Sequence, residues 1–315
     1  MPDDNYLLRL TARLTEGLGQ LPAEVRTRHI EYLQGAQNPD GGFSGREGGS
    51  DLYYTAFGLR GLAVLGGLSL EVCSCAEGYL RGCLAQQASV IDFFSFLYAC
   101  ALVQMASGRN VLDNSREDWP DRVAELLETY RTADGGYGKT ENAASGSTYH
   151  TFLVALCYQL LARSVPRPEE VARFVQSRAR EDGGYVEIAP MRRSGTNPTA
   201  AAVGTLEILD ERGDILTGEM RQRVVDFLAE MASPEGGMRA NGRAPLADLL
   251  STFTGTWTLE QLDAGERIDA EEVARFARNS ERAEGGFHGG LWDEGHDVEY
   301  TFYGLGVLAL FPDFY

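Results

Sequence analysis

An all-α fold of six helical hairpins closing into a ring is what this sequence predicts, and three observations carry it. Glycine pairs recur at Gly41-Gly42, Gly135-Gly136, Gly183-Gly184, Gly236-Gly237 and Gly285-Gly286, and four of the five lead into an aromatic residue. Their first glycines are separated by 94, 48, 53 and 49 residues, so the first gap holds two units and one unit has lost its glycines. Each unit also alternates a charged amphipathic stretch with a nearly uncharged apolar one, the signature of an outer helix followed by a buried inner helix.

In chain order the repeats span about 24–66, 70–106, 120–162, 168–210, 217–263 and 269–311. The inner helices read LYYTAFGLRGLAVLG, DFFSFLYACALVQM, STYHTFLVALCYQLL, NPTAAAVGTLEIL, DLLSTFTGTWTLEQL and DVEYTFYGLGVLAL. The last four outer helices read DRVAELLETYR, PEEVARFVQSRAR, GEMRQRVVDFLAEM and DAEEVARFARNSER. The unit without glycines is the second, around CLAQQASVIDFFSFLYACALVQ. The glycine pair is expected to supply the positive φ that ends the outer helix, with the next aromatic packing between neighbouring units.

Composition fits one large domain over residues 1–315, with 43% hydrophobic residues and no shift along the chain. A net charge of −18 argues against nucleic acid and anionic membranes as partners. MPDDNYLLRLTARL has no basic and apolar leader pattern, and no apolar run approaches the ~18 residues of a membrane span, so a cytoplasmic protein is expected. Cys73, Cys75, Cys83, Cys100 and Cys157 read as reduced, buried small hydrophobes.

The outer helix, the DGGF or DGGY turn, the glycine-rich loop and the D-x-x-x-T inner helix together resemble the repeats of protein prenyltransferase β subunits, above all that of Rab geranylgeranyltransferase. The resemblance runs from about residue 24 to 311 and extends more distantly to class II terpene cyclases such as squalene-hopene cyclase. It implies an (α/α)6 toroid with an aromatic cavity for an isoprenoid. The family holds a catalytic zinc with D-x-C at the fifth inner helix and D-x-x-H-T at the sixth. Here those motifs read Asp248-Leu249-Leu250 and Asp297-Val298-Glu299-Tyr300-Thr301, so Leu250 and Tyr300 replace two of the three ligands. No cofactor is expected, and zinc-dependent cysteine prenylation is not expected.

For a prenyl diphosphate, the resemblance points to cations in the fourth and fifth loops, where Arg192, Arg193, Arg239 and Arg243 stand; Gly195 lies near the family's histidine. Four solvated arginines are the other reading. Terpene cyclases protonate an alkene with an acid opening an inner helix, and the nearest matches here are Glu299 beside Asp297, then Asp92; Asp248 and Asp51 open helices too. An aspartate at such a position also caps its helix, a reading that fits all of them.

The expected cavity wall comprises Tyr53, Tyr54, Phe93, Phe94, Tyr149, His150, Phe253, Trp257 and Tyr300, with Phe57, Phe96, Phe302 and Tyr303 behind. His288 and His296, near Asp293 and Glu294, read as a metal site or as a solvated cluster. Three functions follow: a prenyltransferase-like enzyme without the usual zinc, a class II cyclase-like enzyme with a carboxylic acid donor, or a non-catalytic isoprenoid-binding scaffold. The expected ligand is an isoprenoid or another apolar small molecule. A monomer or homodimer is the default, and the family's helical α subunit is the other partner in view.

Overall fold

The computed structural model describes residues 5–84, 89–113, 118–210 and 215–315. The described helices are α1 (Tyr6–Gln20), α2 (Ala23–Gly35), α3 (Leu52–Leu65), α4 (Leu70–Gly82), α5 (Val90–Ser107), α6 (Trp119–Glu128), α7 (Thr148–Leu160), α8 (Pro168–Gln176), α9 (Thr196–Leu209), α10 (Gly218–Glu230), α11 (Leu249–Gln261), α12 (Ala270–Asn279) and α13 (Val298–Leu310). The fold is all-α. Among the described residues, isolated bridges apart, sheet is confined to two antiparallel pairs of two-residue strands, β1 (Met238–Arg239) with β2 (Ala247–Asp248) and β3 (Phe287–His288) with β4 (His296–Asp297).

The chain forms two compact units. One holds Leu7–Arg116 and Glu271–Tyr315; the other holds Met1–Tyr6 and Glu117–Ala270. In the first, inner helix α3 packs between α5 and α13, with outer helices α2 and α4 behind. In the second, inner helix α9 packs between α7 and α11, with α8 and α10 behind.

The five hairpins that carry a glycine pair are built the same way. In the first, α2 ends at Gly35 through a right-handed Ala36, and the chain turns only later, where the Gly41 N–H donates to Asn38 O at 2.8 Å. The glycine therefore does not end the helix, as the sequence reading expects. Its φ of +92° makes the following turn, and the first glycines of the other four pairs share that conformation at +90° to +99°. A second requirement is proximity: a Cβ on Gly41 would lie 2.0 Å from Cys75 O in α4, and one on Gly183 would lie 2.3 Å from Arg223 O in α10. The turn thus rests on the backbone of the next outer helix.

The residue after the glycines is buried in every case: Phe43, Tyr137, Tyr185, Met238 and Phe287 are at most 2% exposed. It packs on the inner helix of its own hairpin, for example Phe43 on Gly58 and Phe287 on Gly304. Its N–H donates to a threonine hydroxyl of that helix, Phe43 to Thr55, Tyr137 to Thr151, Tyr185 to Thr199, Met238 to Thr252 and Phe287 to Thr301, at 2.9–3.3 Å. This explains the threonine of the D-x-x-x-T pattern. Thr252→Val keeps the shape but strands a buried donor, so urea unfolding is expected to show a loss of about 1–3 kcal/mol.

Three features depart from the sequence reading. Helix α1 was not anticipated, although Leu7, Leu10, Leu14 and Leu18 recur at helical spacing and are all buried. Gly17 of α1 lies directly against Ala309 O, and the Arg13 guanidinium donates to Ala309 O at 2.9 Å and Leu310 O at 3.0 Å, satisfying carbonyls at the end of α13. Helix α5 has 18 residues and a mean hydropathy of 1.6, long and apolar enough to cross a membrane, although isolated polar residues interrupt its apolar run in the sequence; it packs on α3 and α4. Cys75 is exposed, while the other four cysteines are buried.

His29, which sequence alone did not single out, fastens α2 to the last loop of the same unit. Fully buried, its Nδ1 accepts from Gly286 N at 3.1 Å, which places the proton on Nε2, 3.0 Å from Glu281 Oε1. Its ring stacks on Phe287 at 5.0 Å. Burial pushes the Glu281 carboxyl upward, but His29 and Arg28 outweigh it and hold the group below its ordinary value.

Candidate functional site

Five of the six inner helices open on a side-chain cap: Asp51, Ser89, Ser147, Asp248 and Asp297 each accept from a backbone N–H three residues on. Capping fixes the first turn of α13, and with it Glu299, two residues past Asp297. The Tyr53 hydroxyl of α3 donates to Glu299 Oε1 at 2.6 Å, and the Tyr303 hydroxyl lies 3.4 Å from the same oxygen. Around them the rings interlock edge to face: Tyr53 and Phe57 at 4.9 Å, Phe57 and Tyr303 at 5.3 Å, Tyr53 and Tyr54 at 5.3 Å. Burial raises the Glu299 carboxyl above its ordinary value, opposed by the Tyr53 hydrogen bond and reinforced by the Asp297 charge.

Asp297 is occupied differently. Its Oδ1 caps α13 by accepting from Tyr300 N at 2.9 Å, and its Oδ2 accepts from Arg46 Nε at 3.0 Å. Arg46, from the first glycine-rich loop, also meets Asp293 at 2.6 Å and covers the Tyr300 ring at 5.2 Å. The arginine thereby ties the first loop to the last within one unit. His288 and His296 meet edge to face at 6.1 Å; their neighbouring carboxylates Asp293 and Asp297 are committed to Arg46, and Glu294 is exposed. Among the described residues no group of three or more His, Cys, Asp and Glu is arranged around a metal-sized point.

The positions of the family's zinc ligands do not fit that metal. Asp248 Oδ1 accepts from Ser251 N at 2.7 Å and Oδ2 from Ser251 Oγ at 2.9 Å, Leu250 has no donor atom, and Tyr300 lies beneath a guanidinium. Asp92 is not a cap: Ser89 caps α5, and Asp92 Oδ2 accepts from Ser89 Oγ at 2.9 Å. Phe93, Phe94, Phe96 and Phe253 are buried core residues.

In the other unit Ser147 Oγ joins His150 Nδ1 at 2.7 Å to the Glu187 carboxylate, and His150 Nε2 is buried without a hydrogen-bond partner. Burial, with the Lys139 charge, lowers His150 to about 4, so the ring is neutral. Tyr149 is 36% exposed beside it. Trp257 is covered rather than open: its Nε1 donates to the Tyr6 hydroxyl at 2.9 Å, and Tyr6 meets the ring edge to face.

The four arginines of the fourth and fifth loops differ in exposure. Arg192, Arg193 and Arg243 are exposed, whereas Arg239 turns back to donate to Glu230 O at 2.7 Å, at the end of α10. The loops themselves adjoin, since Thr196 N donates to Ala240 O at 2.9 Å. An arginine missed by sequence reasoning is Arg60 of α3: its guanidinium stacks on Phe302 at 4.0 Å, Phe57 at 4.8 Å and Tyr98 at 5.3 Å, and Leu10, Thr11 and Leu14 of α1 line the same small gap. Its signal was visible as the single charge in LYYTAFGLRGLAVLG.

The sequence profile of the prenyltransferase alpha-alpha toroid domain matches residues 10–186 and 150–314. The chain belongs to this family. Its fold is similar to that of the Candida albicans protein geranylgeranyltransferase-I complexed with GGPP, at 12% identity and a TM-score of 0.70 over 91% of each chain. It is also similar to the type II terpene cyclase MstE from Scytonema, at 14% identity and 0.62 over 93% of this chain and 98% of that one. The GH76A alpha-1,6-mannanase from Salegentibacter sp. HEL1_6 is as similar, at 14% identity and 0.64 over 93% and 99%. No curated protein matches the chain in sequence. The toroid is thus shared with proteins of unlike chemistry, so function has to be argued from the side chains inside it.

Proposed function

We propose that this toroid protein binds an isoprenoid against the aromatic residues of its inner helices and that Glu299 acts there as a general acid on an alkene. The observation that carries the reading is a half-buried carboxyl held among Tyr53, Phe57 and Tyr303 at the opening of α13. Burial favours its neutral form, with the proton on Oε2, since Oε1 accepts from Tyr53. Transfer of that proton to one alkene carbon leaves a tertiary cation on the other and a carboxylate on Glu299. The Tyr53 hydrogen bond stabilises the carboxylate and ring faces stabilise the cation; after ring closure a carbon-bound proton is lost to water, and water returns a proton to Glu299.

The reading needs neither zinc nor a diphosphate. It is supported by the residues at 248, 250 and 300, which suit no zinc, and by the outward placement of Arg192, Arg193 and Arg243. Product analysis after incubation with polyprenyl alcohols, diphosphates and polyprenylated aromatics tests it. Cyclised product is expected from the native chain and not from Glu299→Gln; an unchanged product with the variant, or none from either, overturns the acid role. Binding of the same compounds without turnover would point to the scaffold reading.

A further inference from the structure

From the fourth and fifth glycine-rich loops we infer a docking surface for the interface of an anionic lipid bilayer. Segments 188–193 and 239–246 carry four arginines and no acidic residue, in a chain of net charge −18. On the same segments Ile188, Met191 and Leu246 are 39%, 43% and 41% exposed. Large apolar side chains displayed beside unpaired cations are the composition of a surface that meets lipid headgroups: the cations neutralise phosphate while the apolar tips enter the acyl boundary.

The two loops are braced, so their tips are presented rather than collapsed. Arg180 donates to Ala189 O at 3.0 Å and Met191 O at 3.0 Å, and Met191 N donates to Ile188 O at 3.0 Å, closing a tight turn with Ile188 and Met191 outside. In the fifth loop Asn241 Oδ1 accepts from Arg243 N at 2.9 Å, and Glu235 accepts from Ala247 N at 2.9 Å. The loops are joined by Thr196, whose hydroxyl donates to Arg239 O at 2.6 Å. Arg239 is held by α10, and Arg192, Arg193 and Arg243 make no ion pair with a described residue.

Overall charge misleads about such a surface. Charges farther off than about 10 Å are largely screened at 0.1 M salt, so the local balance governs contact with a bilayer. An acidic protein would satisfy the arginines but not the three apolar tips, which is why the bilayer is the occupant favoured here.

Flotation of the full chain with phosphatidylcholine vesicles, with and without phosphatidylserine, tests the inference. The chain is expected to float only with phosphatidylserine present and to be released by high salt. Arg192→Gln combined with Arg193→Gln and Arg243→Gln is expected to weaken binding roughly a hundredfold, at about fivefold per cation. Ile188→Ser with Met191→Ser and Leu246→Ser is expected to abolish flotation while circular dichroism stays native. Glu299→Gln should float like the native chain, which keeps this result separate from the proposed chemistry. Absence of flotation, flotation unaffected by the arginine variant, or binding to immobilised polyglutamate but not to vesicles would each overturn the bilayer assignment, the last in favour of an acidic protein.

Discussion

Glu299→Gln is expected to cut turnover of a polyprenyl substrate by roughly a hundredfold to ten-thousandfold, the usual contribution of a positioned general acid, while leaving the fold more stable at neutral pH. Both effects come from one cause. The carboxyl is half-buried among tyrosines, and this desolvation raises its pKa above the ordinary 4.5. Between the unfolded value and the raised native value the native chain binds more protons than the unfolded chain, so stability falls as pH rises through that window and levels off above it. Glutamine has no charge to desolvate and keeps the acceptor for Tyr53. Its melting temperature should therefore match the native chain's in acid and exceed it at neutral pH. Equal melting curves at both pH values would mean that Glu299 is not held in a low-dielectric site. Tyr53→Phe should lower turnover less than Glu299→Gln, because it removes only the bond that stabilises the carboxylate after transfer.

Gly41→Ala is expected to cost about 2–5 kcal/mol of stability, the sum of a strained positive φ and a backbone overlap. The overlap is severe because the new methyl would lie 2.0 Å from Cys75 O, and a helix carbonyl cannot swing aside as a side-chain tip can. Gly135→Ala shares the conformation, with φ at +91°, but meets its nearest backbone atom, Glu170 O, at 3.0 Å. Denaturant titration of the two variants separates the contributions: Gly135→Ala should lose mainly the conformational part, roughly 1–2 kcal/mol. If the two variants were equally destabilised, close approach would play no part in the choice of glycine.

Most of the hairpin architecture was legible because its causes are local and repeated. A turn requiring positive φ leaves glycine in the sequence, and a helix buried on most sides leaves an uncharged run. Helix α1 occurs once, so no repetition drew attention to its leucine spacing. The glycine pair was legible as a bend, but its contact with the next outer helix was not, since sequence does not say what a missing Cβ would have struck. In the site, Glu299 was visible from its place in the inner-helix register. Arg46, Arg60 and His29 were not, because their importance lies in partners far along the chain: Asp293 and Asp297, Phe302, and Glu281. The arginines of the fourth and fifth loops were visible as residues, yet only coordinates show that Arg239 points toward α10 while the others face solvent.

That Gly41 and Gly183 lie on carbonyls of the following outer helix gives the array a direction. These two bends, and that of Gly135 on Glu170 O, are each completed by the successor and not by the predecessor, much as a roof tile is held by the course laid over it, whereas Gly285 rests on Arg28 O of α2. Loss of a succeeding helix would uncover the bend before it, whereas loss of a preceding one would leave the next bend seated, so fraying within such a stack should run backwards along the chain.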